Sequence, residues 1–133
     1  MPKAKPLISI IDDDESIREA IKGLMRSLGY RVEALASAQE FLGSRHVCRT
    51  ACLIADMQMP GMTGLELYQR LSASGKPIPT ILITAYPDDG ARERAFSAGV
   101  VGYLSKPFEE DDLLACIHSA LTHARAAGGE VWE

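Results

Sequence analysis

Three consecutive acids, Asp12, Asp13 and Asp14, follow the apolar run Leu7–Ile11, and a fourth, Asp56, follows residues 51–55. Thr84 closes the run Thr80–Thr84, and Lys106 comes just after residues 100–104. Each has a bland reading taken alone. Asp14 suits an N-cap, and its neighbours suit first-turn acids favoured by a helix dipole. Asp56 before a Met-Pro-Gly loop suits turn chemistry, Thr84 is β-branched as strand residues often are, and a loop lysine is usually solvated. Together, four coincidences would be needed. Clustered carboxylates repel by about 4 kcal/mol per pair at 4 Å and an effective dielectric near 20, so such a cluster stays ionised only with a counter-charge. Mg²⁺, a hard cation that keeps several waters, fits two or three carboxylates. Lys106 adds a second, fixed positive charge. A metal, an ammonium and a hydroxyl around one acid suit transfer of a phosphoryl group onto that acid. Asp56 is the candidate nucleophile, because it stands apart from the triple run and can face it.

These residues meet only if the apolar runs that carry them lie side by side. Leu7–Ile11, 51–55, Thr80–Thr84 and 100–104 are apolar nearly throughout, the pattern of parallel strands covered on both faces. Arg31–Leu35 alternates, which predicts an edge strand. Between the runs, Ile17, Ala20, Ile21, Leu24, Met25 and Leu28 make one helical stripe, with Gly29 at the C′ position. Ser37 and Glu40 read as a capping box opening a short second helix. Leu67, Tyr68 and Leu71 mark a third, entered after Pro60-Gly61, and residues 88–98 a weakly amphipathic fourth ended by Gly99. Leu113, Leu114, Ile117, Leu121 and Ala124 line a fifth. Five strands each followed by a helix predict right-handed crossovers and a three-layer α/β sandwich. In such sheets ligands bind beyond the carboxyl ends of the strands, where the acids, hydroxyl and ammonium fall.

A length of 133 residues supports one domain, and a net charge of −4 excludes the basic footprint of a nucleic-acid binder. No apolar run approaches the roughly 18 residues of a membrane span, and residues 1–6 lack the apolar stretch of a signal peptide, so a cytoplasmic location is expected. Cys48, Cys52 and Cys116 are odd in number and do not form a disulfide framework. His46, Cys48 and Cys52 have a spacing that suggests zinc, but Cys52 lies in a strand and no fourth ligand is evident, so zinc is not expected. Cys116 reads as a packing residue, and His118 and His123 have no nucleophile beside them.

With these residues in view, the sequence resembles the receiver domain of two-component response regulators. The matching segments are Ile10-Ile11-Asp12-Asp13-Asp14-Glu15, then Leu53-Ile54-Ala55-Asp56-Met57-Gln58-Met59-Pro60-Gly61-Met62-Thr63-Gly64. Ile81-Leu82-Ile83-Thr84-Ala85 and Gly102-Tyr103-Leu104-Ser105-Lys106-Pro107-Phe108 follow, in order and spacing over about residues 7–121. The resemblance implies a flavodoxin-like, doubly wound (βα)5 sandwich with strand order 2-1-3-4-5. It implies a receiver domain over residues 1–126, with 127–133 a flexible tail or the start of a linker. Asp56 would take a phosphoryl group from the phosphohistidine of a sensor histidine kinase or a phosphotransfer protein. Mg²⁺ would be held by Asp13 directly, Asp12 through water, Asp56, and the backbone carbonyl of Gln58. Lys106 would neutralise the incoming group, Thr84 would hydrogen-bond to it, and the Lys106–Pro107 bond would be cis. Tyr103 matches the family's aromatic switch position.

The resemblance describes a phosphoacceptor with self-catalysed transfer and slow self-dephosphorylation, not an enzyme in the turnover sense. A phosphoryl group adds roughly −1.5 to −2 charges and three acceptor oxygens. Thr84 would follow the new acceptor, Tyr103 would fill the space it leaves, and the face of the fourth helix, fifth strand and fifth helix would change. This is a biased two-state equilibrium. A phosphorylation-dependent homodimer through that face is a further family expectation; direct nucleic-acid or membrane binding by the domain is not. Tyr86, Pro87 and Gln58 lie close to the site and are expected to tune loss of the phosphoryl group. A hydrolase using an aspartyl phosphate would normally place an acid where Gln58 stands. A nucleotide binder would need a phosphate-cradling turn where three aspartates repel phosphate. A constitutive interaction module of the same fold is the remaining alternative.

Overall fold

The structure, a computed structural model, describes residues 5–126. Its strands are β1 (Leu7–Ile11), β2 (Arg31–Leu35), β3 (Thr50–Asp56), β4 (Thr80–Thr84) and β5 (Gly102–Ser105). All neighbours pair in parallel, in the order β2-β1-β3-β4-β5. The helices are α1 (Glu15–Ser27), α2 (Ala38–Leu42), α3 (Gly64–Ala73), α4 (Asp89–Ala98) and α5 (Glu110–Ala126), and a 3₁₀ turn, Arg45–Arg49, precedes β3. The expected flavodoxin-like fold is the one observed. Among the described residues no helix is long and apolar enough to cross a membrane. The expected tail, residues 127–133, lies outside the described residues.

The sheet is apolar on both sides because helices cover both sides. Leu53, Ala55 and Leu82 face Phe41 of α2 and Leu67 and Leu71 of α3. Their strand neighbours Cys52, Ile54, Ile81 and Ile83 face Ile21 and Met25 of α1 and Leu113 and Ile117 of α5. Two packed layers on one sheet remove the polar half of the alternation from the central strands. β2 pairs with β1 alone and keeps it, as its edge position predicts.

Three details differ from the sequence reading. β5 begins at Gly102, because Gly99 ends α4 at φ +115° and the Val100 N–H closes back onto Ala95 O at 3.2 Å. Val100 therefore packs as the end of a helix and not as the start of a strand. In α1 the buried stripe is narrower than the spacing suggests: Ile21 and Met25 are buried, whereas Ala20 and Leu28 are exposed. Ser37 does cap α2, accepting from Glu40 N–H at 3.1 Å, but the reciprocal capping box opens α3, between Thr63 and Glu66. Ala124 lies in α5, and its side chain is outside the described residues.

The three cysteines are placed very differently. Cys52 is fully buried in β3, and that burial pushes its thiol far above the usual range. Cys116 is half-buried and also raised, by burial and then by Asp112. Cys48 is exposed. In the folded protein at mildly alkaline pH, a thiol-exchange reagent is expected to modify Cys48 first, Cys116 slowly, and Cys52 only after denaturant is added. Prompt labelling of Cys52 would contradict its place in the sheet.

Candidate phosphoacceptor site at the carboxyl edge of the sheet

The triple-aspartate run divides its labour. Asp14 is the N-cap of α1, its Oδ1 accepting from Ser16 N–H at 2.8 Å and Ile17 N–H at 3.4 Å. The Asp14 N–H in turn donates to Asp12 Oδ1 at 2.8 Å, which turns the Asp12 side chain into the sheet edge, where it is 0% exposed. Arg18, on the first turns of α1, donates from Nη1 to the Asp12 carbonyl at 2.9 Å. Asp13 is left exposed at the mouth of the site.

Asp56 is the last residue of β3 and is 4% exposed. Its position is fixed from behind by Gly64, at the start of α3. A Cβ on Gly64 would lie 2.6 Å from the Asp56 carbonyl oxygen, so only glycine lets the helix approach this closely. Asp56 Oδ1 accepts from the Gln58 N–H at 3.0 Å. Lys106 Nζ stands 3.2 Å from Asp56 Oδ2 and 3.0 Å from Asp12 Oδ2. The lysine is carried there by its own N–H, which donates to Thr84 O at 2.7 Å, just before a cis Lys106–Pro107 bond.

One ammonium thus serves two buried carboxylates. Burial holds the Asp56 carboxyl above the usual aspartate range, and Asp12 adds to this; the Gln58 N–H and Lys106 act the other way. Burial also works against the Lys106 charge, but its bonds and proximity to Asp12 and Asp56 outweigh that and leave its pKa raised. Asp12, Asp13 and Asp56 each offer one oxygen, and these oxygens lie within 4.8 Å of one another. One ammonium faces three carboxyl groups, so the cluster has more acids than cations beside it. An all-oxygen seat of this kind, open to water on the Asp13 side, fits Mg²⁺.

Thr84, fully buried at the end of β4, donates its hydroxyl to Gln58 Oε1 at 2.7 Å and accepts from the Tyr86 N–H at 3.0 Å. Tyr103 is half-buried against the α2–α3 side of the core, and its hydroxyl accepts from the Asp88 N–H at 3.4 Å, where α4 begins. Tyr86 is 74% exposed, so its ring stands largely in solvent. The structure therefore brings Asp12, Asp13, Asp56 and Lys106 together directly and joins Thr84 to them through Gln58. Sequence reasoning missed the Gln58 side-chain bond and Arg18, since no spacing rule points to either.

The other candidates do not converge. His46 Nε2 faces Glu33 Oε2 at 3.5 Å, Cys48 Sγ accepts from Lys76 Nζ at 3.1 Å, and Cys52 packs with the α1–α5 side of the core. His118 is exposed, and the side chain of His123 is outside the described residues.

Residues 8–118 match the family model described as the response regulator receiver domain. The chain is 39% identical over 121 residues to response regulator protein TmoT of Ectopseudomonas mendocina, covering 91% of this chain and 55% of that one. Among solved structures, response regulator StyR superposes with a TM-score of 0.84 at 42% identity, over 93% of this chain and 64% of that one. FixJ-N superposes with a TM-score of 0.81 at 32% identity, over 90% and 95%. The chain spans about half the length of the curated relatives it matches.

Proposed function

Since this chain belongs to the response regulator receiver family of two-component systems, we propose that Asp56 accepts a phosphoryl group from a phosphohistidine in a Mg²⁺-dependent step. The donor is a sensor histidine kinase or a phosphotransfer protein. The observation that carries this reading is the Asp56 carboxylate held between Lys106 and the acids Asp12 and Asp13. One Asp56 carboxylate oxygen forms the new P–O bond as the P–N bond breaks, and that electron pair returns to the imidazole. Asp12, Asp13 and Asp56, with the backbone carbonyl of Gln58, would hold Mg²⁺. When bound, the ion supplies positive charge against the phosphoryl oxygens.

Lys106, already within 3.2 Å of Asp56, adds a fixed charge that needs no rearrangement. Thr84 supplies a hydroxyl proton to the phosphoryl group, and Tyr103 responds at the start of α4. The surface of α4, β5 and α5 then presents a second arrangement to a partner, a second copy of the chain included. The phosphoryl group is accepted once and lost slowly, without turnover of an external substrate. We assign the domain to residues 1–126 and its place to the cytoplasm. Intact mass after incubation with acetyl phosphate tests the reading; absence of any adduct would favour a constitutive interaction module.

Metal binding has its own test. Mg²⁺ at about 100 times its dissociation constant is expected to stabilise the fold by about 2.7 kcal/mol. Asp13→Asn should abolish most of that gain while melting close to wild type without metal, because Asp13 is exposed. Equal stabilisation of the variant would place the metal elsewhere.

A further inference from the structure

We propose that the Gln58 side chain is a latch on Thr84: its carbonyl oxygen holds the threonine proton in the resting state and opposes the switched one. The inference rests on the receiver reading above and deepens it. A hydroxyl has a single proton to donate. That proton is directed at Gln58 Oε1, at a heavy-atom distance of 2.7 Å, which is the ordinary optimum for an O–H···O bond. The Tyr86 N–H, 3.0 Å from the same oxygen, fills the acceptor side and fixes the orientation of the rotor. Thr84 is fully buried at the end of β4, so its own side chain is shielded from solvent. While this arrangement lasts, Thr84 has no proton to give to a phosphoryl oxygen.

Gln58 is well placed for this. Asp56 is in register with Ile83 across β3 and β4, so the residues that follow each strand emerge side by side. The Gln58 backbone is tied to the acceptor acid through its N–H to Asp56 Oδ1, at 3.0 Å. Its exposed side chain spans from there to the neighbouring strand end. One residue therefore touches both the group that is modified and the group that responds. A phosphoryl oxygen carries charge and is a stronger acceptor than a carboxamide, so it takes the proton when it arrives. Until then the neutral bond keeps the switched state sparsely populated, and the apparent affinity for a phosphoryl group is lowered by the same factor.

Gln58→Met keeps the reach of the side chain and removes the acceptor. The experiment titrates beryllofluoride, a phosphoryl mimic, into the full chain at saturating Mg²⁺, followed by tyrosine fluorescence. Gln58→Met is expected to tighten apparent binding roughly three- to tenfold, the effect of losing one neutral hydrogen bond. In a Thr84→Val background the same substitution should change nothing, with Thr84→Ala as a second background. Unchanged or weaker binding by Gln58→Met would overturn the latch; Gln58 is exposed, so this single variant tests it without threatening the fold. Equal tightening in both backgrounds would also overturn it, because Gln58 would then act on the mimic and not through Thr84. Failure of the folded wild type to bind beryllofluoride at all would overturn the phosphoacceptor reading, and the latch with it.

Discussion

Incubated with acetyl phosphate and Mg²⁺, the chain is expected to gain the mass of one phosphoryl group and Asp56→Asn to gain none. Without Mg²⁺ the wild-type adduct should fall to a trace. The carboxamide is nearly isosteric, so the site keeps its shape and loses only the nucleophilic oxygen anion. An equal adduct on the variant would move the acceptor to another residue. The same substitution has a second consequence, opposite in sign, for stability. Burial and Asp12 hold the folded-state pKa of Asp56 above the ordinary aspartate range. A group raised in this way favours folding when it is protonated, and that contribution is lost as pH rises through the folded-state pKa. At neutral pH the ionised Asp56 therefore costs stability. Metal-free Asp56→Asn is expected to melt above wild type there. The gap closes as pH falls through the raised pKa toward the ordinary aspartate range, and melting curves over that window follow it. A variant that melts below wild type at neutral pH would show that the bond to Lys106 outweighs burial.

Lys106→Met should be the most destructive change to the resting protein. It leaves Asp12, which is 0% exposed, facing Asp56, which is 4% exposed, with no cation between them. Breaking a buried pair by removing one partner costs about 3 kcal/mol or more, because the other charge stays buried and uncompensated. Saturating Mg²⁺ should restore most of that loss, since it brings the missing charge to the same carboxylates. Phosphorylation should not recover with stability: removing a preorganised positive group costs a transfer step about 100-fold. A Lys106→Met protein that melts like wild type without metal would show that the lysine is not the counter-charge. The lysine's own pKa is raised by its carboxylates, so its contribution is complete at neutral pH and is lost only as pH rises through that raised value.

Much of the site is legible in the sequence, for a simple reason. A strand buried on both faces is apolar along its length, so the first polar residue after it marks where the sheet ends. Asp12, Asp56 and Lys106 are each such residues or lie just beyond one, and Thr84 is the last residue of its run. The same logic fails at β5, where Val100 extends the apolar run but belongs to the turn that leaves α4, and only Val101 turns to donate to Thr80 O at 2.9 Å. Among the three adjacent aspartates the sequence singles out Asp14, which caps the helix as read. It does not say that Asp12 turns inward while Asp13 stays exposed. The Gln58–Thr84 bond joins residues 26 positions apart on different strand ends, and Arg18 reaches a backbone carbonyl. Neither leaves a periodicity in the chain. The Thr63–Glu66 capping box was legible and is the plainest omission.

Lys106 lies 94 positions from Asp12 and 50 from Asp56. During synthesis both acids leave the ribosome long before the lysine does. A nascent chain that has not yet added β5 holds the carboxylates without their ammonium, and β4 without the strand that pairs along its outer edge. On the proposed reading, such a chain lacks the fixed charge that speeds transfer to Asp56. Full competence to accept a phosphoryl group would then arrive with the last strand of the sheet. A kinase would act slowly on a receiver whose five strands are not yet assembled, and the ion pair would in this sense proofread the fold.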